Sequence, residues 1–223
     1  RPNGASGPLV ASLNMVEEYL IVQGREWERY AWVKARAVTG AQEDIDALDA
    51  VVRPFVYRRY LDFGVIDAIR NMHAQIRAEV KRQERLHPDR SNNVKLGRGG
   101  IREIEFLAQV FQLIRGGRDA TLRERSTRAT LRQLADKELM APDVVARLLD
   151  AYTFLRNLEH RLQYLDDAQT HTLPARDEDR AAVARMMELL DESTSEAKAL
   201  APADEFFPTE FVLRTSTAPP ATH

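Results

Sequence analysis

The sequence has no cysteine in 223 residues. That excludes disulfides, zinc–thiolate sites and cysteine nucleophiles, and it fits a reducing compartment. No apolar run reaches the length of a membrane span, and no hydrophobic signal segment opens the chain. The expectation is a cytoplasmic protein with no membrane partner. Charge of one sign is also missing: 32 basic and 34 acidic residues leave a net of −2. A general nucleic-acid binder is therefore not expected. No histidine pair has metal-ligand spacing, no Gly-Lys-Ser/Thr of a phosphate loop occurs, and no internal repeat is evident. The chain starts at Arg1 rather than Met, and Arg1–Pro8 reads as a loop, so a chain cut at its front is expected.

What is present is a globular composition, 44% hydrophobic, which supports a buried core. Charge is uneven. Residues 53–118 hold 14 basic and 7 acidic side chains, and the rest is acidic. A basic middle could meet phosphates or an acidic surface, but charge alone favours solvated arginines on long helices.

Apolar periodicity predicts helices over 13–23, 25–38 (closed by Gly40), 41–52 (interrupted by Pro54), 64–85, 101–115, 126–137, 142 to about 162 and 177–190. Leu9–Ser12 fits a short strand or a first helical turn. Val94–Leu96 reads as extended, followed by a turn at Gly97–Gly100. Ser126 is a helix cap and Pro142 a helix opener. Thr215–His223 has the composition of a disordered tail.

Three segments could carry chemistry. In the first, Gly4 and Gly7 beside Arg1 allow close approach of backbone and cation to a phosphate. Spacing alone favours an ordinary turn. The second, Gly24–Arg36, offers Glu28, Lys34 and Arg36 among aromatics. Cations of that kind neutralise transferring phosphates, although spacing alone favours core aromatics and helix-surface ion pairs. In the third, Lys95, Arg98 and Arg102 surround Gly97–Gly100 at a helix start, where anions can bind; a joining turn is the simpler reading. Glu103 and Glu105 project roughly 160° to 200° apart on a helix, so they are expected to bond separately. His160 and His171 are expected to be structural or solvated.

Together the blocks resemble one family. They are Arg1-Pro2-x-Gly4-x-x-Gly7-Pro8-Leu9-Val10, Gly24-Arg25-x-Trp27-Glu28-Arg29-Tyr30-Ala31-x-x-Lys34-Ala35-Arg36, Arg53–Tyr60, Ile69–Met72 and Lys95–Phe106 continuing to Gly117. Leu155–Gln163 and Gln169–Pro174 follow. Over about residues 1–190 the chain resembles the first half of the bifunctional glutamine synthetase adenylyltransferase/adenylyl-removing enzymes.

The resemblance implies a mainly α chain, a helical bundle following the C-terminal remnant of an α/β nucleotidyltransferase domain. Residues 1–90 would be that remnant with attached helices, 91–190 a helical domain of the adenylyltransferase/PII-uridylyltransferase type, and 191–223 an unmatched, disordered tail, of which Phe206–His223 could be frameshifted or foreign. The family removes AMP from a glutamine synthetase tyrosine by phosphorolysis, releasing ADP, and attaches AMP from ATP. PII signal proteins and glutamine tune the balance. Its Mg2+ ligands lie in Gly-Ser and Asp-x-Asp motifs upstream of the opening loop. No catalytic or metal-binding residue is thus expected in this chain, which alone would be inactive. By the same resemblance Arg1, Gly4 and Gly7 would line the nucleotide pocket, and Glu28, Lys34 and Arg36 would support or contact the nucleotide. Two alternatives stand beside it: a PII uridylyltransferase-like segment, and a non-catalytic helical module docking on glutamine synthetase or PII.

Overall fold

The computed structural model describes residues 4–58, 92–165 and 169–187, with 71, 74, 75, 78, 79, 81, 82, 85 and 86 between them. Seven α-helices are named among these: α1 (Leu13–Val22), α2 (Glu26–Trp32), α3 (Gln42–Val56), α4 (Ile101–Arg115), α5 (Thr127–Asp136), α6 (Pro142–Tyr164) and α7 (Asp177–Met186). Short 3-10 turns occupy Gly4–Ser6 and Ala120–Leu122. Among the described residues there is no sheet, only an isolated antiparallel bridge between Asn93 and Thr172. The mainly α expectation holds.

Two compact units divide the chain. One takes Arg1–Arg77 and Phe106–Ala146; the other takes Ala78–Glu105 and Arg147–His223.

The first unit is built on α1, α2, α3 and the later part of α4. Leu20, Val33, Phe55, Val56 and Leu113 form its core, ringed by Val16, Tyr19, Tyr30, Val52, Phe106 and Val110. Each fully buried aliphatic side chain stabilises by about 1.5–3 kcal/mol. The Tyr30 and Phe106 rings stack with centroids 5.0 Å apart. The hydroxyl of Ser12 caps α1 by accepting from Met15 N–H, so Leu9–Ser12 forms neither strand nor helix. Gly24 joins α1 to α2 at a close approach. A Cβ there would lie 2.4 Å from the Leu20 carbonyl oxygen and 2.5 Å from the Phe55 ring.

Two boundaries differ from the sequence expectation. The helix expected over 25–38 ends at Trp32, because the backbone tightens into three-residue bonds: Lys34 N–H to Ala31 O and Ala35 N–H to Trp32 O. Conversely, α3 does not stop before Pro54. It runs through it to Val56. Proline costs a helix one hydrogen bond and a steric clash. Here it stands in the last turn, and Phe55 and Val56 beyond it are core residues.

The carbonyls at that end find a donor in Arg29. Its Nε donates to Phe55 O at 3.0 Å and one terminal nitrogen to Val56 O at 3.1 Å. Its other terminal nitrogen pairs with Glu26 at 2.5 Å. The side chain is 0% exposed. A guanidinium, with five donors, is thus buried as the C-terminal cap of another helix.

In the second unit, Ile101, Ile104, Leu148, Leu155, Leu158, Leu162 and Val183 are buried. The expected helix over 64–85 lies mostly outside the described residues, and those described between 71 and 86 are helical. Val94–Leu96 is a turn rather than extended chain, since the Asn93 carboxamide oxygen accepts from Lys95 N–H and Leu96 N–H. Such local side-chain bonding competes with strand pairing. The expected helix over 177–190 ends at Met186, with Met187 as its C-cap, and 188–190 lie outside the described residues.

Candidate functional site

Arg1 lies outside the described residues. Gly4 and Gly7 share one exposed turn, closed by Gly7 N–H to Gly4 O at 3.3 Å. Gly4 has φ +57, and a Cβ built there would meet nothing within 4 Å. The turn therefore needs left-handed backbone at Gly4, and its surface is open.

Glu28 is 7% exposed. Its carboxylate accepts from Tyr19 OH at 2.7 Å and from Arg25 N–H at 2.9 Å. The second bond closes a capping box at the start of α2, satisfying a donor that a helix N-terminus otherwise leaves free. Glu28 thereby fastens α1 to α2.

Lys34, two residues past α2, reaches a distant loop. Its Nζ donates to Arg125 O at 2.6 Å and Thr127 Oγ1 at 3.0 Å. Glu124 beside it is held below the usual carboxylate range, chiefly by the Ser126 N–H, with Arg125 and Lys34 contributing. Lys34 is thus an anchor between the end of α2 and the start of α5. Arg36 is exposed. Just beyond it opens a cleft of 240 Å³ lined by Leu13, Ala37, Thr39, Asp44, Ile45 and Leu48. The structure brings Gly4 and Gly7 into one turn, while Glu28 and Lys34 sit in separate networks at the two ends of α2.

The glycine turn at 97–100 gives no open anion site. Val94 O, Lys95 O and Gly100 O accept from the first amides of α4, and Gly99 N–H donates to the Glu103 carboxylate. Gly100 is required there, since a Cβ would lie 2.8 Å from both Gly97 O and Val94 O. Glu105 bonds elsewhere, to Tyr152 OH at 3.1 Å and Arg102 at 3.3 Å, so the two glutamates act separately, as expected from their spacing.

An ionic hub that sequence reasoning missed lies in the second unit. The Glu159 side chain, 3% exposed, meets Arg156 at 2.6 Å, His171 Nδ1 at 3.1 Å and Lys95 Nζ at 3.2 Å. His171 is held below its ordinary pKa, first by burial and then by Lys95, against the opposing pull of Glu159. Arg156 at one helical turn was the only local signal; Lys95 and His171 arrive from other segments. Among the described residues, no group of three or more His, Cys, Asp or Glu is placed to hold a metal ion. The residues described here therefore do not fit a magnesium site.

Two family models match parts of the chain. Residues 1–50 match one described as glutamate-ammonia ligase adenylyltransferase, and residues 70–203 match one described as GlnD PII-uridylyltransferase. Similarity to single proteins spans both parts. The chain is 59% identical over 86% of its length to a protein of Burkholderia mallei, 58% over 86% to one of Ralstonia nicotianae and 52% over 84% to one of Neisseria meningitidis serogroup B. Each of the three is named bifunctional glutamine synthetase adenylyltransferase/adenylyl-removing enzyme. The matched spans are 21%, 22% and 20% of those proteins, so the chain spans about a fifth of the length of the curated relatives it matches.

Proposed function

The chain belongs over residues 70–203 to the GlnD PII-uridylyltransferase family and, over the 86% of its length that is matched, to the bifunctional glutamine synthetase adenylyltransferase/adenylyl-removing enzymes, and from that membership we propose that it serves as one edge of a nucleotide pocket in a longer protein. That protein attaches AMP from ATP to a tyrosine of glutamine synthetase and removes it by phosphorolysis. The observation that carries this reading is the 59% identity over 86% of the chain. The reading includes PII as regulator, ATP, ADP and phosphate as ligands, and the cytoplasm as location. No helix among the described residues is long and apolar enough to cross a membrane, in keeping with that location.

Mg2+ enters the proposal only as an ion of the longer protein. It would supply charge neutralisation at the phosphate, held by ligands outside this chain. Within the chain, Arg1, Gly4 and Gly7 line the pocket in this reading, and Arg36 is the exposed cation that contacts phosphate. Glu28 and Lys34 hold the two ends of α2 so that Arg36 is presented correctly, a role supported by their bonds to Tyr19, Arg25, Arg125 and Thr127.

The test is ADP release from adenylylated glutamine synthetase with phosphate and Mg2+. The chain alone should release none. In the longer protein, Arg36→Ala should weaken phosphate use roughly tenfold, as expected for one charge-assisted hydrogen bond, without changing stability. Turnover by the chain alone, or full activity of Arg36→Ala, would count against the assignment. A PII-directed reading is favoured by the match over residues 70–203. It predicts uridylyl transfer to PII by the longer protein and none to glutamine synthetase.

A further inference from the structure

Glu159 is nearly sealed from solvent, but the groups around it are not. Its side chain is 3% exposed, against 32% for Lys95, 35% for Arg156 and 26% for His171. These groups are held in place from several directions. Arg156 lies one turn from Glu159 on α6 and donates to its Oε2 at 2.6 Å. The Asn93 carboxamide oxygen fixes the backbone at Lys95, and Val94 N–H donates to His171 O at 2.8 Å, beside the Asn93–Thr172 bridge. All four side chains belong to one compact unit.

Charge and donors are both in excess there. Among the described residues, Lys95 and Arg156 meet Glu159 and no second carboxylate, so two cations share one anion. A guanidinium has five N–H donors and an ammonium three, whereas Glu159 accepts one hydrogen bond from Arg156. His171 Nδ1 is buried 3.1 Å from Glu159 Oε1, yet it makes no hydrogen bond to it or to any other described group. A partly buried site with surplus positive charge and unused donors is completed by an oxyanion, because charge-assisted hydrogen bonds strengthen where water is scarce.

We infer that Lys95, Arg156 and His171 form a binding site for a phosphate group, free or carried by a nucleotide, with Glu159 as the anchor that gathers them. A phosphate group presents an oxygen to each of the three, whereas a carboxylate has only two in all. The charge count agrees. A dianionic phosphate exceeds the surplus by one, and His171 restores the balance by taking a proton from solvent, which makes both ring nitrogens donors. The site is complete within these four residues and is independent of the activity proposed above.

NMR titration of the His171 ring in this chain tests the inference, with inorganic phosphate, ADP and acetate added in turn at fixed ionic strength. Phosphate or ADP should shift the ring signals saturably and raise the His171 pKa, as a bound anion does. Acetate should do neither. A response to both phosphate and ADP supports the site with free phosphate as a sufficient ligand; a response to ADP alone supports it with the phosphate on a nucleotide. Lys95→Met should weaken binding about tenfold, the loss expected for one charge-assisted hydrogen bond, with far-UV circular dichroism unchanged. Arg156→Met should do the same, and if one variant unfolds the other decides. No saturable shift with phosphate or ADP, an equal shift with acetate, or undiminished binding by a folded Lys95→Met or Arg156→Met overturns the inference and leaves an ion cluster that only braces the fold.

Discussion

Replacing Arg29 by methionine keeps the bulk of the side chain and removes every donor. The Phe55 and Val56 carbonyls then lose their hydrogen bonds in a buried setting, and Glu26 loses its partner. An unsatisfied buried carbonyl costs about 1–3 kcal/mol, and breaking a buried ionic contact by removing one partner about 3–5 kcal/mol. Glu26 is 29% exposed, so water takes over part of its loss. A net destabilisation of about 4 kcal/mol follows, or about 10 °C in Tm for a chain of this size. Arg29→Lys retains a cation that reaches fewer acceptors and should cost about half as much. Burial pushes the guanidinium pKa down while Glu26 pushes it back up, and an arginine remains charged throughout. The assay is urea unfolding followed by tryptophan fluorescence. Both tryptophans, Trp27 and Trp32, lie on α2, so the signal reports the unit in question. An Arg29→Met midpoint within about 0.5 kcal/mol of wild type, the range of an ordinary surface substitution, would refute the claim that this side chain caps α3.

Gly24→Ala should destabilise the same unit by about 2 kcal/mol or more, because the new methyl must displace the Phe55 ring and the Leu20 carbonyl; an unchanged urea midpoint would contradict this. Glu159→Gln should cost about 1–3 kcal/mol, since Lys95 and Arg156 are a third exposed and recover hydration, and it should lower the His171 pKa further in an NMR titration. His171 itself gives a pH dependence. Its folded pKa lies below the ordinary 6.5, so the unfolded chain takes up that proton first. The stability is complete above pH 6.5 and declines as pH falls through the folded value; His171→Gln should remove that slope. Asp119, bonded to Lys137 at 2.6 Å and to Thr121, has its pKa lowered to about 2. Its carboxyl should titrate near there by NMR and return toward 3.8 in Lys137→Met.

Local chemistry was readable wherever it acts through neighbours along the chain. The stripe from Ile101 to Ile114 gave α4 its limits, and Ser126 and Pro142 marked the starts of α5 and α6. The glutamates at 103 and 105 were separable by helical geometry alone. The expected pocket residues could be proposed, but not their partners. Nothing near Lys34 in sequence announces Arg125 O and Thr127, and nothing near Lys95 announces Glu159. These bonds join segments that only folding brings within reach.

Composition, periodicity and capping residues by themselves determined that the chain is helical and where most helices begin, because those effects are settled within a turn or two of backbone. Tertiary structure alone decided that α3 passes through Pro54 and that an arginine is wholly buried. Both outcomes depend on packing and on the bonds from Arg29 in α2 to the Phe55 and Val56 carbonyls of α3, and a donor 26 residues away from its acceptor leaves no trace in local pattern.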